Sequence, residues 1–483
     1  MNTQEAISQL QQFRQELYWL LPLRRDALLD LLDALSSSPS ARSPVELSLS
    51  PLFRREYGSV RDATTHFFQA SSPESSSAER RAWEKELARL IGRYLPIPQS
   101  RTFWLLGTDV VPIPRPFAQA LEDRSYVYQP NLVAGNKPVT IGHRYSVTAF
   151  LPEWAHPDDP PWVVPLLVRR VHSDEKATVV GAEQVVTLLQ DNQMPFHRQL
   201  SVHVADSAYS AVEHLGRVGH LPDLITVTRA AENRVFYRQS PPPEGGRPQG
   251  HPTWYGAPFN LKDPRTWGTP DATAETTFTT KKGRTYRVQL QGWHNLLMRG
   301  KRDLPMHCYP FTLIRAVVLD EQGRPVFKRA LWLIVMGARR GELSLVEAWE
   351  VYGQRYDLEH YFRFGKQRLL MAAFQTPEVE HEENWLQIVQ LASVQLWLGR
   401  ELAGSALRPW ERYLPRRASG SVPPSQVQRA WVGIMRQIET PARPPKRRGK
   451  SPGRAQGMRL TRRPRRVVVK KPSKTRKTAS SPA

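Results

Sequence analysis

The stretch VYGQRYDLEHYFRFGKQR, Val351–Arg368, sets a polar row beside an apolar one. At about 100° per residue, Tyr352, Arg355, Glu359 and Lys366 fall in one helical stripe about 60° wide. Val351, Leu358, Phe362 and Leu369 cluster next to it, as on a helix packed against a core. The pattern predicts a single helix from about Leu343 to Ala373. A carboxylate flanked by cations at the margin of a core can hold a metal ion and a phosphate backbone together. The same residues also fit a solvated, salt-bridged face. Arg355 and Glu359 are an i,i+4 pair, worth a few tenths of a kcal/mol to a helix. Spacing alone leaves the two readings even.

Working outward, the 483-residue chain is too long for one compact domain. Its 68 Lys plus Arg against 45 Asp plus Glu leave a net charge of +23. Of this, +16 lies in Pro441–Ala483, which has 16 cations and no acid. A segment so basic and so rich in Pro, Gly and Ser is expected not to pack, and its natural partner is a polyanion such as nucleic acid. Cys308 is the sole cysteine, which excludes an intramolecular disulfide and a cysteine-rich zinc site and fits a reducing compartment. The N-terminus lacks the basic and apolar regions of a signal peptide, and no apolar run approaches the roughly 18 residues of a membrane span. The expectation is a soluble, cytoplasmic protein with no membrane partner.

Five segments emerge. Residues 1–98 read as a helical unit, either a DNA-contacting domain or a plain helical one. Residues 99–230 mix strands and helices: RTFWLLGTDVVPIP, HRYSVTAFLPEW, PWVVPLLVRRV, QLSVHVADSAYS and DLITVTRA as strands, AEQVVTLLQDNQ as a helix. Residues 231–340 form a β-rich insertion with a Pro/Gly-rich loop, SPPPEGGRPQGHPTWYG. Residues 341–405 return to helices, and 406–483 read as linker and basic tail. The fold class is α/β (α+β).

Two strands place an aspartate at or near a C-terminal end, Asp109 and Asp206, and a helix offers Glu359. Open sheets put their sites at strand C-termini. Three carboxylates brought together need metal to relieve their repulsion, and hard oxygen donors select Mg²⁺ or Mn²⁺. Two such ions can clamp an in-line phosphoryl displacement. Singly, an aspartate that ends a strand is more often a turn or cap residue.

Tyr352-x2-Arg355-x3-Glu359-x6-Lys366 resembles, in type and spacing, the Tyr–Arg–Glu–Lys signature of bacterial insertion-sequence DDE transposases, the insertion-sequence-four superfamily. Asp109 in LLGTDVV resembles the first aspartate of that triad, with Asp123 as the fallback. Asp206 in VADSAYS resembles the second. The resemblance spans about residues 99–400. It implies an RNase H-like mixed sheet with the β-rich insertion between Asp206 and Glu359. It also implies Asp109, Asp206 and Glu359 as catalytic ligands of two Mg²⁺ or Mn²⁺ ions, with Tyr352, Arg355 and Lys366 gripping DNA. Double-stranded DNA, as element terminal inverted repeats and as target, becomes the partner. A homodimer pairing two element ends and a nucleoid-associated location follow from the same resemblance.

Trp332 in RALWLIVMG resembles a tryptophan with which related transposases stack on a flipped base. A core tryptophan fits the apolar strand equally well. Trp254, Trp267 and Trp293 are weaker candidates, and His143 and Arg144 receive no role. Two other functions remain open: a metal-dependent DNA nuclease on the same fold, and a non-catalytic, transposase-derived DNA-binding protein.

Overall fold

The computed structural model describes residues 3–68, 70–72, 76–129, 138–156, 158–241, 254–280, 283–403, 421–446, 453, 455–459 and 461–470. Most of the Pro/Gly-rich loop, the linker at 404–420 and the last 13 residues of the tail lie outside them. Four helices come first: α1 (Thr3–Leu20), α2 (Arg25–Ser37), α3 (Gly58–Thr65) and α4 (Ser76–Gly92). The mixed region follows with β1 (Trp104–Pro114), β2 (Ser125–Tyr128), β3 (Val139–Phe150), β4 (Val164–Val171), α5 (Ala177–Leu189), β5 (Ser201–Ala205), α6 (Val212–Val218) and β6 (Leu224–Arg229). The insertion supplies β7 (Val235–Gln239), β8 (Tyr255–Asn260), β9 (Ala272–Thr279), β10 (Thr285–Leu296), β11 (Phe311–Leu319) and β12 (Leu331–Met336). Helices α7 (Leu345–Gln354), α8 (Asp357–Arg368), α9 (Val379–Leu398) and α10 (Pro424–Ile438) close the chain.

The main sheet runs β2-β3-β1-β5-β6-β12-β11-β10-β9, with β4 also on β3. Strand β3 is antiparallel to β1 and β4, whereas β1, β5 and β6 are mutually parallel. This is an RNase H-like sheet. The insertion does not stand apart from it. Strand β12 joins β6 and carries β11, β10 and β9 onward in the same sheet. An apolar β6 edge left open would expose a row of unpaired backbone groups, and the insertion covers it.

Strand β1 is buried on both faces through Gly107, as its apolar run requires. Its partner β5 ends at Ala205, opposite Thr108. Beyond that pair β1 has a free edge on the β5 side, so Pro112 and Pro114 can stand in the strand without cutting the ladder. Gly107 admits a helix: a Cβ there would lie 3.0 Å from Leu358 of α8.

Helix α9 is buried around its whole circumference and packs on β4, α2, α3 and α10. Its Glu382 accepts hydrogen bonds from Arg115 (2.7 Å) and Tyr145 (2.8 Å) and meets His143 Nδ1 at 2.9 Å, all inside the core. Burial opposes the charge, but Arg115, His143 and Tyr145 outweigh it and hold the carboxyl at about 2. His143 is thereby structural.

Three features differ from the sequence reading. The expected single helix over 343–373 is two. At Arg355 and Tyr356 the backbone stays right-handed, but N–H groups bond three residues back, Arg355 to Tyr352 and Tyr356 to Gly353, both at 3.2 Å. This tighter turn separates α7 from α8, so one 100° step does not describe both sides. Second, 406–483 contains α10, whose Val427, Trp431, Ile434 and Ile438 enter the main core beside α1, α2 and α9. Their helical spacing was masked by flanking prolines and cations. Third, residues 461–470 of the basic tail pack against the loop at 119–124 and the first residue of β2, held by backbone bonds to Gln119 and Arg124, a bridge to Ser125, and the side chains of Glu122 and Glu378. Helices α1–α4 share the α9 core, so residues 1–98 have no separate one.

Glu382→Gln should lower unfolding stability by roughly 3–5 kcal/mol, because it strips the buried Arg115 of its counter-charge. The exposed Glu380→Gln serves as control. Chemical denaturation checks both, and a loss at Glu382 no larger than at Glu380 would refute the structural role.

Candidate active site

Asp109 lies at the middle of β1 and not near its end as the sequence suggested, because β3 carries the strand on to Pro114. Its Oδ1 accepts the Val110 N–H at 2.7 Å. Asp206 follows the last residue of β5 and caps the turn at 207–210, accepting the Ala208 N–H at 2.9 Å. Since Thr108 pairs with Ala205 on parallel strands, the next residue of each strand brings the two aspartates side by side. Close packing at Gly107 lowers α8 onto the same face of β1. Arg355 then reaches both ways. Its Nη1 donates to Asp109 Oδ2 and its Nη2 to Glu359 Oε1, each at 3.3 Å. Burial, with the charges of Asp206 and Glu359, raises the Asp109 carboxyl to about 6, against the Val110 N–H and Arg355.

The remaining helix residues divide. Tyr352 faces the Arg355 guanidinium, 5.7 Å from ring centroid to Cζ. Burial raises its hydroxyl, while Arg355 and Arg229 pull the other way. Lys366 stands two turns beyond Glu359, roughly 10 Å along the axis. It is half-buried, which lowers its ammonium, and its side chain has no hydrogen-bond or ion-pair partner among the described residues. The tight turn at 355–356 thus leaves Tyr352, Arg355 and Glu359 grouped around Asp109, with Lys366 outside that contact.

Trp332 does not join the site. It is 3% exposed in the second core, 5.8 Å from Trp293, 6.3 Å from Phe259 and 5.1 Å from Trp267 between ring centroids. A base cannot stack on a ring so enclosed, so the core reading holds. Trp293 is buried in the same cluster, and Trp267 lies under the Arg315 guanidinium. Trp254 is 37% exposed and stacks on His307 at 3.8 Å. Asp123, the fallback, has its own partners away from Arg355 and Glu359. It pairs with Arg170 at 2.6 Å and accepts the Ser173 N–H at 3.2 Å. Sequence reasoning assigned no role to Tyr209 or Arg229. Tyr209 is buried under both aspartates, and its ring would meet a Cβ on Gly181 at 2.7 Å. Its place three residues after Asp206 was the available signal. Arg229, at the end of β6, gave none.

A family model described as DDE superfamily endonuclease matches residues 16–296, more than half of the chain. The chain belongs to that family. No curated protein matches it. The matched span includes Asp109 and Asp206 and stops before Tyr352, Arg355, Glu359 and Lys366. Membership in the DDE endonucleases gives a transposase or nuclease type of function and a DNA substrate. Among the described residues no helix is long and apolar enough to cross a membrane.

The family generally uses divalent metals. Asp109 and Asp206 offer hard oxygen donors side by side, the chemistry that suits Mg²⁺ or Mn²⁺. Glu359 is held by Arg355. Among the described residues, no three His, Cys, Asp or Glu side chains form a group that could hold an ion. Arg355 itself supplies the positive charge that this crowd of carboxylates needs.

The raised Asp109 carboxyl sets a pH dependence. Its folded value of about 6 lies above the ordinary 3.8. The neutral form therefore favours the folded state below about pH 4, and this contribution is lost as pH rises through 6. Without divalent cations, wild type should lose up to about 3 kcal/mol relative to Asp109→Asn across that window. Denaturation at several pH values measures it, and parallel stability curves for the two proteins would refute the assignment.

Proposed function

We propose that this DDE endonuclease is a transposase of the insertion-sequence-four type, cutting at mobile-element ends and joining them to target DNA. The observation that supports this most is the position of Arg355 between Asp109 and Glu359, beside Tyr352, in the signature spacing. One guanidinium there links the carboxylates to the surface a phosphate must approach.

In this reading Asp109 and Asp206, joined by Glu359 once Arg355 releases it, would hold two Mg²⁺ or Mn²⁺ ions, and bound there the ions would supply Lewis-acid activation of water. Arg355 exchanges its carboxylate partners for a DNA phosphate. Both of its present bonds, at 3.3 Å, are long for charge-assisted contacts, so the exchange sacrifices little. The planar fork suits two phosphate oxygens, and the Tyr352 ring steadies it from one face. Lys366 adds a second phosphate contact further along the strand. Water attacks phosphorus and releases a 3′-hydroxyl at the element end. That hydroxyl then attacks a target phosphodiester, forming one P–O bond and displacing the target's own 3′-oxygen. Two ends are cut and joined together, and the family resemblance implies a homodimer that pairs them.

Glu359→Gln should bind end DNA at least as tightly as wild type, while cleavage falls to background. Arg355→Ala and Lys366→Ala should weaken end binding and keep residual Mg²⁺-dependent cutting at high protein concentration. A plain salt bridge would instead cost a few tenths of a kcal/mol and leave activity intact. Gel-shift titrations with end-cleavage assays test these variants, and robust cutting by folded Glu359→Gln would sink the catalytic assignment. Precut ends mixed with a target plasmid separate a transposase, which joins them, from a nuclease, which does not.

A further inference from the structure

The segment TRRPRRVVVK, residues 461–470, docks on the sheet edge in a defined register. The Arg466 N–H donates to Gln119 O at 2.9 Å and the Val469 N–H to Arg124 O at 2.8 Å. The Arg124 guanidinium returns a bond to Arg466 O at 3.3 Å. Val469 bridges Ser125 of β2 as a parallel neighbour. Two acids of the body hold two cations of the segment: Glu122 pairs with Arg466 at 2.5 Å, and Glu378 pairs with Arg463. Arg462, Arg465 and Lys470 are exposed and have no ion-pair partner among the described residues.

Register locates this cationic row. Pro114 of β1 pairs with Gly142 of β3, Gly142 with Ser125 of β2, and Ser125 with Val469. Three strand spacings make about 14 Å across the sheet, and the five residues from Asp109 to Pro114 add about 16 Å along it. Val469 therefore lies roughly 20 Å from Asp109, within the ~34 Å of one DNA turn. It lies toward the end of β1 that runs on beyond the aspartate.

We propose that the docked segment is a preset contact surface for duplex DNA crossing the carboxylate site, with Arg462, Arg465 and Lys470 meeting phosphates on the flank. This rests on the DNA-cutting reading above and adds where the flanking duplex runs. Covering a sheet edge with a charged, proline-containing segment protects it from pairing with other chains, and that accounts for the backbone pairing; the three exposed cations left without an acidic partner among the described residues are what point to a polyanion. Docking fixes the cations before DNA arrives, so binding is spared the cost of ordering them.

The test uses the full chain and a random duplex of roughly 40 base pairs, with affinity followed against salt. Arg462→Ala with Arg465→Ala should reduce the log–log slope by up to about 1.8, or 0.9 per lost phosphate contact. Val469→Pro removes one anchoring N–H and no charge, and it should weaken binding about fivefold. Glu122→Ala makes the protein more positive. A loose basic tail would then bind more tightly, whereas a docked one should bind more weakly. Thermal melts confirm that these surface variants fold. Unchanged or tighter binding by both Val469→Pro and Glu122→Ala would overturn the proposal, as would a wild-type chain that does not bind the duplex. Cleavage at element ends is read separately, so a chain that cuts while both anchor variants bind normally keeps its activity and loses this surface.

Discussion

The buried charge of Glu382 is the constraint on which the site depends. A carboxylate in a core is tolerable only when its oxygens are paired, and here Arg115, His143 and Tyr145 share that work. Arg115 follows the last residue of β1, His143 and Tyr145 belong to β3, and Glu382 belongs to α9. One charge thus ties the β1 end, the neighbouring strand and the central helix together. The Trp385 indole N–H of α9 donates to Leu370 O at 3.0 Å, just past α8. The strand that carries Asp109 and the helix that carries Glu359 are therefore referred to the same helix.

On that frame the site assembles by close approach. Gly107 removes the side chain that would hold α8 away, and Leu358 fills the space. Asp109 then faces Arg355, with Asp206 at its side. Asp109 and Glu359 share one guanidinium while Asp206 crowds Asp109, an arrangement rich in negative charge and poor in compensation, and the raised Asp109 carboxyl records it. Such crowding costs stability, and a DNA-cutting enzyme can accept the cost because the same oxygens suit divalent cations.

The sequence was most legible where chemistry and spacing coincide. Asp206 ends an apolar strand and begins a turn, and both features survive in the structure. Of the polar stripe, Tyr352, Arg355 and Glu359 lie together while Lys366 stands apart, and an unforeseen tight turn at 355–356 divides the helix. Trp332 shows the limit. An aromatic in an apolar strand looks the same whether its face is open or covered, and only the packing of Phe259, Trp267 and Trp293 closes it. Helix α10 was obscured for another reason: its apolar spacing sits inside a stretch whose overall composition is that of a linker.

The sequence by itself determined the mixed α/β class, the carboxylates able to act as hard ligands and the concentration of positive charge at the C-terminal end. Those properties reside in residue type and local period, which each segment carries alone. Tertiary structure decided which aspartate stands opposite Arg355, how the insertion continues the sheet past β6, and where residues 461–470 come to rest. Each of these depends on partners far apart in the chain. Asp109 and Asp123 are both acidic and close in sequence, yet β5 and α8 surround the first while Arg170 neutralises the second. Likewise, the basic segment docks because Glu122, Glu378 and the first residue of β2 meet it, and its own composition encodes none of them.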